Sequence, residues 1–282
     1  METDFRVGDL MLSARERRPR AAPPKAIILA LHGGGYGAAY WDFPPTSLLA
    51  IAAGRGHLAI AVDRPGYGAA FDRPMPLTAQ ADVILDLVEL LLDREGPRPV
   101  LLAGHSMGGI LALMIGAQPR AARCLRAIDV CGVPLRYGET MQAALLERRL
   151  ADGETHFPAI DADQSRQVFF GADGTFTEEA LAYDASLRAP VPGAELPDAA
   201  HAPHDLPATM RDIALPVRLS FADDERSSIA TPEVAAEARG HLAANPQSLV
   251  RFEPRTGHNI SLHSAGCDFH HGMIDWFESS MQ

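Results

Sequence analysis

The sequence predicts an α/β protein in which helices cover a mostly parallel sheet. Short, fully apolar runs recur along the chain, and such runs are typical of strands that are buried on both faces. Stretches with a helical spacing of apolar residues separate most of these runs, and this alternation is typical of a parallel sheet. The chain has 282 residues, 47% of them hydrophobic. This is enough for one large domain with a full core.

Six apolar strands are predicted in chain order. They lie in residues 26–31, in HLAIAVD, in PVLLAGHS, in residues 125–130, in LPVRLSFADD and in SLVRFEPRTGH. Predicted helices separate most of them, over residues 44–55, 77–94, 107–118, 232–243 and 267–281. The opening segment DFRVGDLMLSA predicts an additional antiparallel hairpin at the sheet edge.

Residues 134–209 interrupt this alternation, because they contain no clear strand. Helices are predicted at 139–151 and 177–187, followed by the proline-rich tract APVPGAELPDAAHAPHDLP. Long connections without structure are rare in compact domains and are usually functional. The sequence therefore predicts a cap over the carboxyl edge of the sheet, formed by residues 134–209, on a core formed by residues 1–133 and 210–282.

The composition argues against several kinds of partner and binding site. A net charge of −11 argues against nucleic acid or an anionic membrane surface as the main partner. The three cysteines form no C-x-x-C pair and predict neither a disulfide framework nor a zinc site. The N-terminal segment lacks the apolar core of a signal peptide, and no apolar run is long enough to span a bilayer. We expect a cytoplasmic protein.

The segment LLAGHSMGG places Ser106 between Gly104 and Gly108, after a predicted strand and before a predicted helix. This G-x-S-x-G pattern is typical of a nucleophile elbow, a tight turn that exposes a serine above the sheet edge. The helix behind the turn begins with free N–H groups, so Met107 N–H is predicted to bind an oxyanion. The competing interpretation is a helix N-cap, which does not require glycine at both flanking positions.

The segment LHGGGYG follows the first core strand. Its glycines, Gly33, Gly34 and Gly35, allow backbone N–H groups to approach a ligand closely, and Gly34 is predicted to supply the second oxyanion donor. The alternative of a phosphate-binding loop of the Walker type requires Gly-Lys-Ser/Thr, which is absent from this segment.

His258 follows the last predicted strand in RTGHNISLH and is the candidate general base for Ser106. His263 is the rival for this role, while His105, inside the elbow, is predicted to be structural. The other histidines of interest are predicted to lie at the surface: His201, His204, His270 and His271. No H-E-x-x-H spacing is present, and no metal site is predicted.

Three adjacent carboxylates, Asp223, Asp224 and Glu225, follow the predicted strand VRLSFA. One of them is expected to accept a hydrogen bond from His258 and to hold its tautomer. Since three groups compete for one role, at least two of them are ordinary loop charges. The residues alone leave the choice open.

Taken together, GHSMGG, LHGGGY, DRPGYG and GHN resemble motifs of the α/β-hydrolase superfamily over essentially the whole chain. The resemblance implies an α/β-hydrolase fold with an eight-stranded, mostly parallel sheet and a helical cap inserted after the sixth strand. The acid of this family usually lies in a G-x-x-D string. If Asp224 is the acid, Phe221 stands in the glycine place; if Glu225 is the acid, Ala222 does. Asp224 is favoured, with Glu225 as the alternative.

The activity that the resemblance implies is acyl transfer by a triad of Ser106, His258 and Asp224, with Met107 and Gly34 holding the oxyanion and with no cofactor. The leading hypothesis is hydrolysis of a small-molecule ester or thioester. A second is an acyltransferase or thioesterase that acts on an acyl carrier protein. Arg136, Arg148 and Arg149 are interpreted either as a basic patch that would dock an acidic carrier or, in preference, as a solvated helix face. Non-catalytic ligand binding and C–C bond cleavage are further alternatives. The aromatic residues of the oxyanion segment are interpreted either as an acyl pocket or as core: Tyr36, Tyr40 and Trp41.

Overall fold

The computed structural model describes residues 1–20 and 22–281. Its strands are β1 (Glu2–Val7), β2 (Leu10–Arg17), β3 (Ile27–Leu31), β4 (Leu58–Val62), β5 (Val100–His105), β6 (Ala127–Cys131), β7 (His156–Phe157), β8 (Val191–Pro192), β9 (Val217–Ala222) and β10 (Leu249–Glu253). Its helices are α1 (Leu48–Gly54), α2 (Leu77–Glu95), α3 (Met107–Gly116), α4 (Ala121–Cys124), α5 (Glu139–Glu147), α6 (Ala162–Phe169), α7 (Glu178–Leu187), α8 (Leu196–Asp212), α9 (Pro232–His241) and α10 (Gly266–Ser280).

Eight strands form one sheet in the order β1-β2-β4-β3-β5-β6-β9-β10. The β1–β2 and β2–β4 pairs are antiparallel, and all the other pairs of this sheet are parallel. The predicted fold class, a mostly parallel sheet with an antiparallel edge hairpin, is therefore confirmed.

Helices cover both faces of the central strands. In β3, Leu29 and Leu31 point into a cluster shared with α2, α3, α8 and α9, while Ile28 and Ala30 point into a second cluster shared with α1 and α10. Successive side chains of a strand face opposite sides of its sheet, so a strand buried on both sides needs a continuous apolar run. No helix among the described residues is both long and apolar enough to cross a bilayer.

The segment between β6 and β9 contains more regular structure than its sequence predicts. It includes α6 and the short antiparallel β7–β8 pair, neither of which was predicted. The proline-rich tract forms most of α8, with Pro203 and Pro207 inside the helix. Ala199, Ala202 and Leu206 recur at helical spacing and pack into the cluster that contains α3, and this packing offsets the hydrogen bonds that proline removes. The predicted cap boundary at residue 209 falls inside α8.

Candidate active site

Ser106 lies in a strained turn between β5 and α3, with φ 53° and ψ −120°. A positive φ is uncommon for a residue with a side chain. The flanking glycines are required by space. A Cβ on Gly104 would lie 2.4 Å from the carbonyl oxygen of Gly108, and a Cβ on Gly108 would lie 2.4 Å from that of Leu31. Ser106 makes no capping hydrogen bond to the described part of α3, so helix capping does not explain this serine.

Gly34 and Met107 adjoin each other next to the elbow, and their backbone N–H groups are candidates for an oxyanion hole. A Cβ on Gly34 would lie 2.5 Å from Met107 Sδ, so the glycine loop and the start of α3 adjoin. The N–H groups of Gly34 and Met107 have no protein acceptor within residues 1–20 and 22–281. The next amide of the loop is occupied, because Gly35 N–H donates to the hydroxyl of Tyr67 at 3.1 Å. Gly34 and Met107 are therefore available to bind a developing oxyanion.

His258 lies beside the elbow in the loop that follows β10, and its side chain is buried. A Cβ on Gly132 would lie 2.9 Å from His258 Cε1. Gly132 follows Cys131, whose carbonyl accepts the Ser106 N–H at 2.8 Å. In the described residues the Ser106 hydroxyl does not donate to His258, but the imidazole is a neighbour of the elbow backbone.

The carboxylate at His258 is Glu225. Its Oε2 lies 2.9 Å and its Oε1 3.1 Å from His258 Nδ1. Ser227 completes the contact, because its hydroxyl lies 2.8 Å from the same Nδ1 and donates to Glu225 Oε1 at 2.7 Å. The Ser227 N–H also donates to Oε1 at 2.8 Å. Ser227 was not singled out in the sequence, where nothing distinguishes it from other loop serines.

The predicted placement of Asp224 against His258 is therefore wrong. The side chain of Asp224 is 37% exposed and pairs with Arg226 at 2.7 Å, whereas that of Glu225 is 2% exposed. The backbone sets these directions: Asp224 N–H donates to the carbonyl of Thr256 at 3.0 Å, and the next side chain turns inward. Asp223 caps the β10 turn through the N–H groups of Arg255 and Thr256, at 2.7 and 3.0 Å.

Burial raises the pKa of the Glu225 carboxyl, but the charge of His258 and the hydrogen bonds from His258 and Ser227 outweigh it, and the net pKa lies below its ordinary value. Glu225 is therefore an anion at neutral pH. An anionic acceptor at Nδ1 favours the tautomer with a proton on Nδ1, which leaves the lone pair of His258 Nε2 available as a base.

His263 has a different role from His258. Its Nε2 accepts the N–H groups of Gly171 and Gly257, at 3.1 and 2.9 Å, and its Nδ1 lies 2.9 Å from the carbonyl of Asn259. Burial lowers its pKa, which agrees with a neutral ring that accepts two hydrogen bonds. His263 thus joins the His258 loop to the segment after α6.

The structure agrees with the predictions for most of the other histidines and contradicts one of them. His105 is buried and structural, with Nε2 3.0 Å from the carbonyl of His258 and its ring stacked on Tyr40. His201, His204 and His271 are exposed, as expected. His270 was predicted at the surface and is instead buried, because it bridges Ser261 and Thr46 at 3.0 and 2.5 Å.

The aromatic residues of the oxyanion segment, Tyr36, Tyr40 and Trp41, are buried core residues. Tyr36 also belongs to a buried polar cluster that sequence reasoning missed. Its hydroxyl donates to Asp184 at 2.6 Å and accepts from Asn259 at 2.8 Å. Burial raises the pKa of Asp184. Since Asp184 lies in α7 and Asn259 follows His258, this cluster connects the His258 loop to α7.

Phe169, the last residue of α6, contacts the candidate base. Its ring stacks on the imidazole of His258 with a centroid distance of 5.2 Å and an interplanar angle of 30°. Within the described residues, no group of three or more His, Cys, Asp or Glu is arranged to hold a metal ion.

Comparison with known proteins identifies similar chains. Residues 28–268 match the alpha/beta hydrolase family. Protein ABHD14A of Danio rerio is 33% identical over 111 residues, which are 38% of this chain and 40% of that protein. The match thus spans less than half the length of this curated relative.

Solved structures with the same fold cover nearly the whole chain. A carboxyl esterase from Bacillus coagulans has a TM-score of 0.73 at 16% identity, covering 100% of this chain and 99% of its own. An esterase from Thermogutta terrifontis has a TM-score of 0.72 at 17% identity, covering 100% of both. A thioesterase domain from the curacin biosynthetic pathway has a TM-score of 0.65 at 18% identity, covering 97% and 98%. At these identities the likeness concerns the fold.

Proposed function

The chain belongs to the alpha/beta hydrolase family, and we propose that it is a serine hydrolase that cleaves an ester or thioester through an acyl-enzyme on Ser106. One observation carries the proposal: a serine in a strained elbow adjoins a buried histidine whose Nδ1 is bound by an ionised glutamate. This combination is what nucleophilic catalysis by serine requires. The triad proposed is Ser106, His258 and Glu225.

In the proposed reaction His258 Nε2 takes the proton of the Ser106 hydroxyl as Oγ attacks the carbonyl carbon of the substrate. The π electrons of the carbonyl move onto its oxygen, and the N–H groups of Gly34 and Met107 bind the resulting anion. When the tetrahedral intermediate collapses, the imidazolium gives its proton to the leaving alcohol or thiol. Water then repeats the sequence on the acyl-enzyme and releases the acid.

Glu225 and Ser227 supply the electrostatic support for this cycle. The imidazolium that forms on His258 is buried, and an unpaired buried charge is costly. The carboxylate of Glu225 lies 2.9 Å from Nδ1 and stabilises that charge. A glutamate side chain is one methylene longer than aspartate, and the two hydrogen bonds from Ser227 hold it in a single position.

The test is a panel of acyl donors, oxyesters and thioesters of varied chain length, with product formation and intact protein mass measured for wild type and Ser106→Ala. We expect hydrolysis and a transient acyl adduct for wild type only. Hydrolysis by Ser106→Ala at the wild-type rate would contradict the proposal. Binding of panel members without turnover by wild type would favour a ligand-binding function instead.

The surface of the cap favours a second candidate, a thioesterase or acyltransferase that acts on a carrier protein. Arg148 and Arg149 are exposed at the end of α5 and form no ion pair within the described residues. Arg136 is not available in the same way, because it pairs with Glu237 at 2.7 Å. Acyl carriers are acidic, so charge reversal of Arg148 and Arg149 is expected to reduce kcat/KM for a carrier-bound thioester and not for a small ester. Equal effects on both substrates would exclude this candidate.

A further inference from the structure

Glu195, in the cap segment, has a fully buried carboxylate with several donors. It lies in a 3-10 turn, Gly193–Glu195, before α8. Its oxygens accept hydrogen bonds from Arg64, from Gln80 Nε2 at 2.7 Å and from the hydroxyl of Tyr67 at 3.1 Å. Burying a charge is costly unless it is paired, so a buried carboxylate with this many donors holds each of them strongly.

Two of these donors also hold the oxyanion loop, residues 32–35. The side chain of Arg64 donates through Nε to the carbonyl of His32 at 2.9 Å, and the backbone N–H of Arg64 donates to His32 Nε2 at 3.1 Å. The hydroxyl of Tyr67 accepts the N–H of Gly35 at 3.1 Å. Both ends of the loop are therefore bound by side chains that converge on Glu195.

The peptide between Gly33 and Gly34 is the one that carries the proposed oxyanion donor. His32 Nδ1 lies 2.8 Å from the carbonyl oxygen of Gly33, which belongs to the same peptide plane as Gly34 N–H. Because His32 Nε2 accepts the N–H of Arg64, the ring proton is on Nδ1 and donates to that carbonyl. Burial lowers the pKa of His32 and keeps this tautomer neutral. The direction of Gly34 N–H thus depends on His32.

We propose that Glu195 is a positioning residue for the oxyanion hole, acting on the Gly34 N–H through Arg64, His32 and Tyr67. The cap segment then contributes to binding of the transition state as well as to the substrate pocket. This inference rests on the proposed function. Glu195 touches neither substrate nor the reacting atoms, and its effect is on the direction of a donor that binds tightly only when charge develops.

The experiment compares Glu195→Gln and Tyr67→Phe with wild type, using p-nitrophenyl acetate as substrate. Two inhibitors distinguish binding of the transition state from binding of the ground state. Ser106 Oγ adds to the carbonyl carbon of a trifluoromethyl ketone, its proton passes to His258, and an oxyanion is placed in the hole. The corresponding alcohol forms no such adduct. We expect kcat to fall about tenfold or more, with KM nearly constant. The Ki of the ketone should rise by a similar factor, and that of the alcohol should not change.

Asp129→Asn is the matched control. Asp129 is also a buried carboxylate paired with a buried arginine, Arg218, at 2.6 Å, but it lies within β6, away from the oxyanion loop. This variant should lower Tm and leave the ratio of the two Ki values at the wild-type value. A merely structural role for Glu195 predicts the same behaviour for Glu195→Gln.

An unchanged Ki ratio in Glu195→Gln and Tyr67→Phe would overturn the inference. Tyr67→Phe tests the Tyr67 arm of the network by itself, because it removes one hydroxyl and leaves the ion pair of Glu195 and Arg64 intact; if Glu195→Gln does not fold, an unchanged Ki ratio in Tyr67→Phe still overturns the inference. Ser106→Ala distinguishes a failure of the proposed function from a failure of the positioning role of Glu195. If it hydrolyses the ester at the wild-type rate, the proposed function fails; if it is inactive while the Ki ratio is unchanged, only the positioning role of Glu195 fails.

Discussion

The strain at Ser106 is the residue-scale feature from which the chemistry follows. A backbone in a sparsely populated region costs about 1–3 kcal/mol and persists only when the surrounding structure holds it. Here β5, α3 and the two close glycine contacts hold it. The same turn brings Ser106 beside the free N–H of Met107 and beside the histidine loop.

Replacement of Ser106 separates this strain from activity. Ser106→Ala and Ser106→Gly should both reduce kcat by on the order of 10³-fold or more, because triad members act as a unit. Ser106→Gly should be the more stable of the two by about 1 kcal/mol, since only glycine adopts a positive φ without strain. Urea unfolding measures the difference, and equal stabilities would contradict the strain argument.

The acid is tested by paired amide variants. Glu225→Gln should reduce kcat by about 10⁴-fold, the loss known for the corresponding change in a serine protease, because the amide favours the wrong tautomer of His258. Asp224→Asn is the matched control and should keep near-normal kcat, since Asp224 pairs with Arg226 at the surface. The reverse result would restore Asp224 to the triad.

The residues of the proposed triad differ in how far the sequence alone could predict them. Ser106 and His258 could be proposed because their roles require neighbours that the sequence displays, the two glycines of the elbow and a loop after the last strand. The acid could not, because three adjacent carboxylates differ only in direction. A backbone hydrogen bond to Thr256 and the contacts of Ser227 set those directions, and both depend on the folded structure.

At the scale of elements, the segment between β6 and β9 is bound to the loop that carries His258. His263 accepts N–H groups from Gly171, after α6, and from Gly257, beside His258. Asp184 accepts a hydrogen bond from Asn259 Nδ2, beside His258, at 3.3 Å. Glu195 binds Arg64 and Tyr67, whose side chains in turn bind the loop of residues 32–35. The strands could be predicted because buried strands need continuous apolar runs. Helix α8 could not be predicted, because prolines in a sequence argue against a helix. Its apolar face stabilises the helix only through packing in the folded protein.

The bridge at His263 predicts a loss of stability distinct from the loss of catalysis at His258. His263→Phe leaves two buried N–H groups without an acceptor, at about 1–3 kcal/mol each. The free energy of unfolding in urea should therefore fall by about 3 kcal/mol. His258→Ala should lose activity to the level of Ser106→Ala with a smaller stability change. His271→Phe, at an exposed site, is the control. If His263→Ala abolished turnover while His258→Ala did not, the base would be His263.

At the scale of the whole molecule, buried histidines link stability to pH. Burial lowers the pKa of His32, His105, His263 and His270, the last to about 3. As pH falls below the ordinary value of 6.5, the unfolded chain binds protons at these sites and the native state does not. The free energy of unfolding therefore falls with falling pH, by up to about 1.4 kcal/mol per pH unit for each such histidine.

His270→Gln should make this dependence shallower by about 1 kcal/mol per pH unit between pH 6.5 and 5, because the unfolded histidine is only half protonated at pH 6.5. His201→Gln, at an exposed site, is the matched control. Urea unfolding at several pH values measures both. An unchanged slope in His270→Gln would show that this histidine is protonated in the native state.

The family that the motifs predicted is confirmed by the match over residues 28–268. The mechanism proposed for this member depends on activation of Ser106 by His258 and Glu225. The most direct measurement is the rate at which a fluorophosphonate, which modifies activated serines, adds to the protein, with the modified peptide identified by mass spectrometry. We expect one adduct, on Ser106, formed more slowly by about a hundredfold or more in His258→Ala and Glu225→Gln and at the wild-type rate in Asp224→Asn. An adduct on another residue, or equal rates in Glu225→Gln and wild type, would contradict this mechanism.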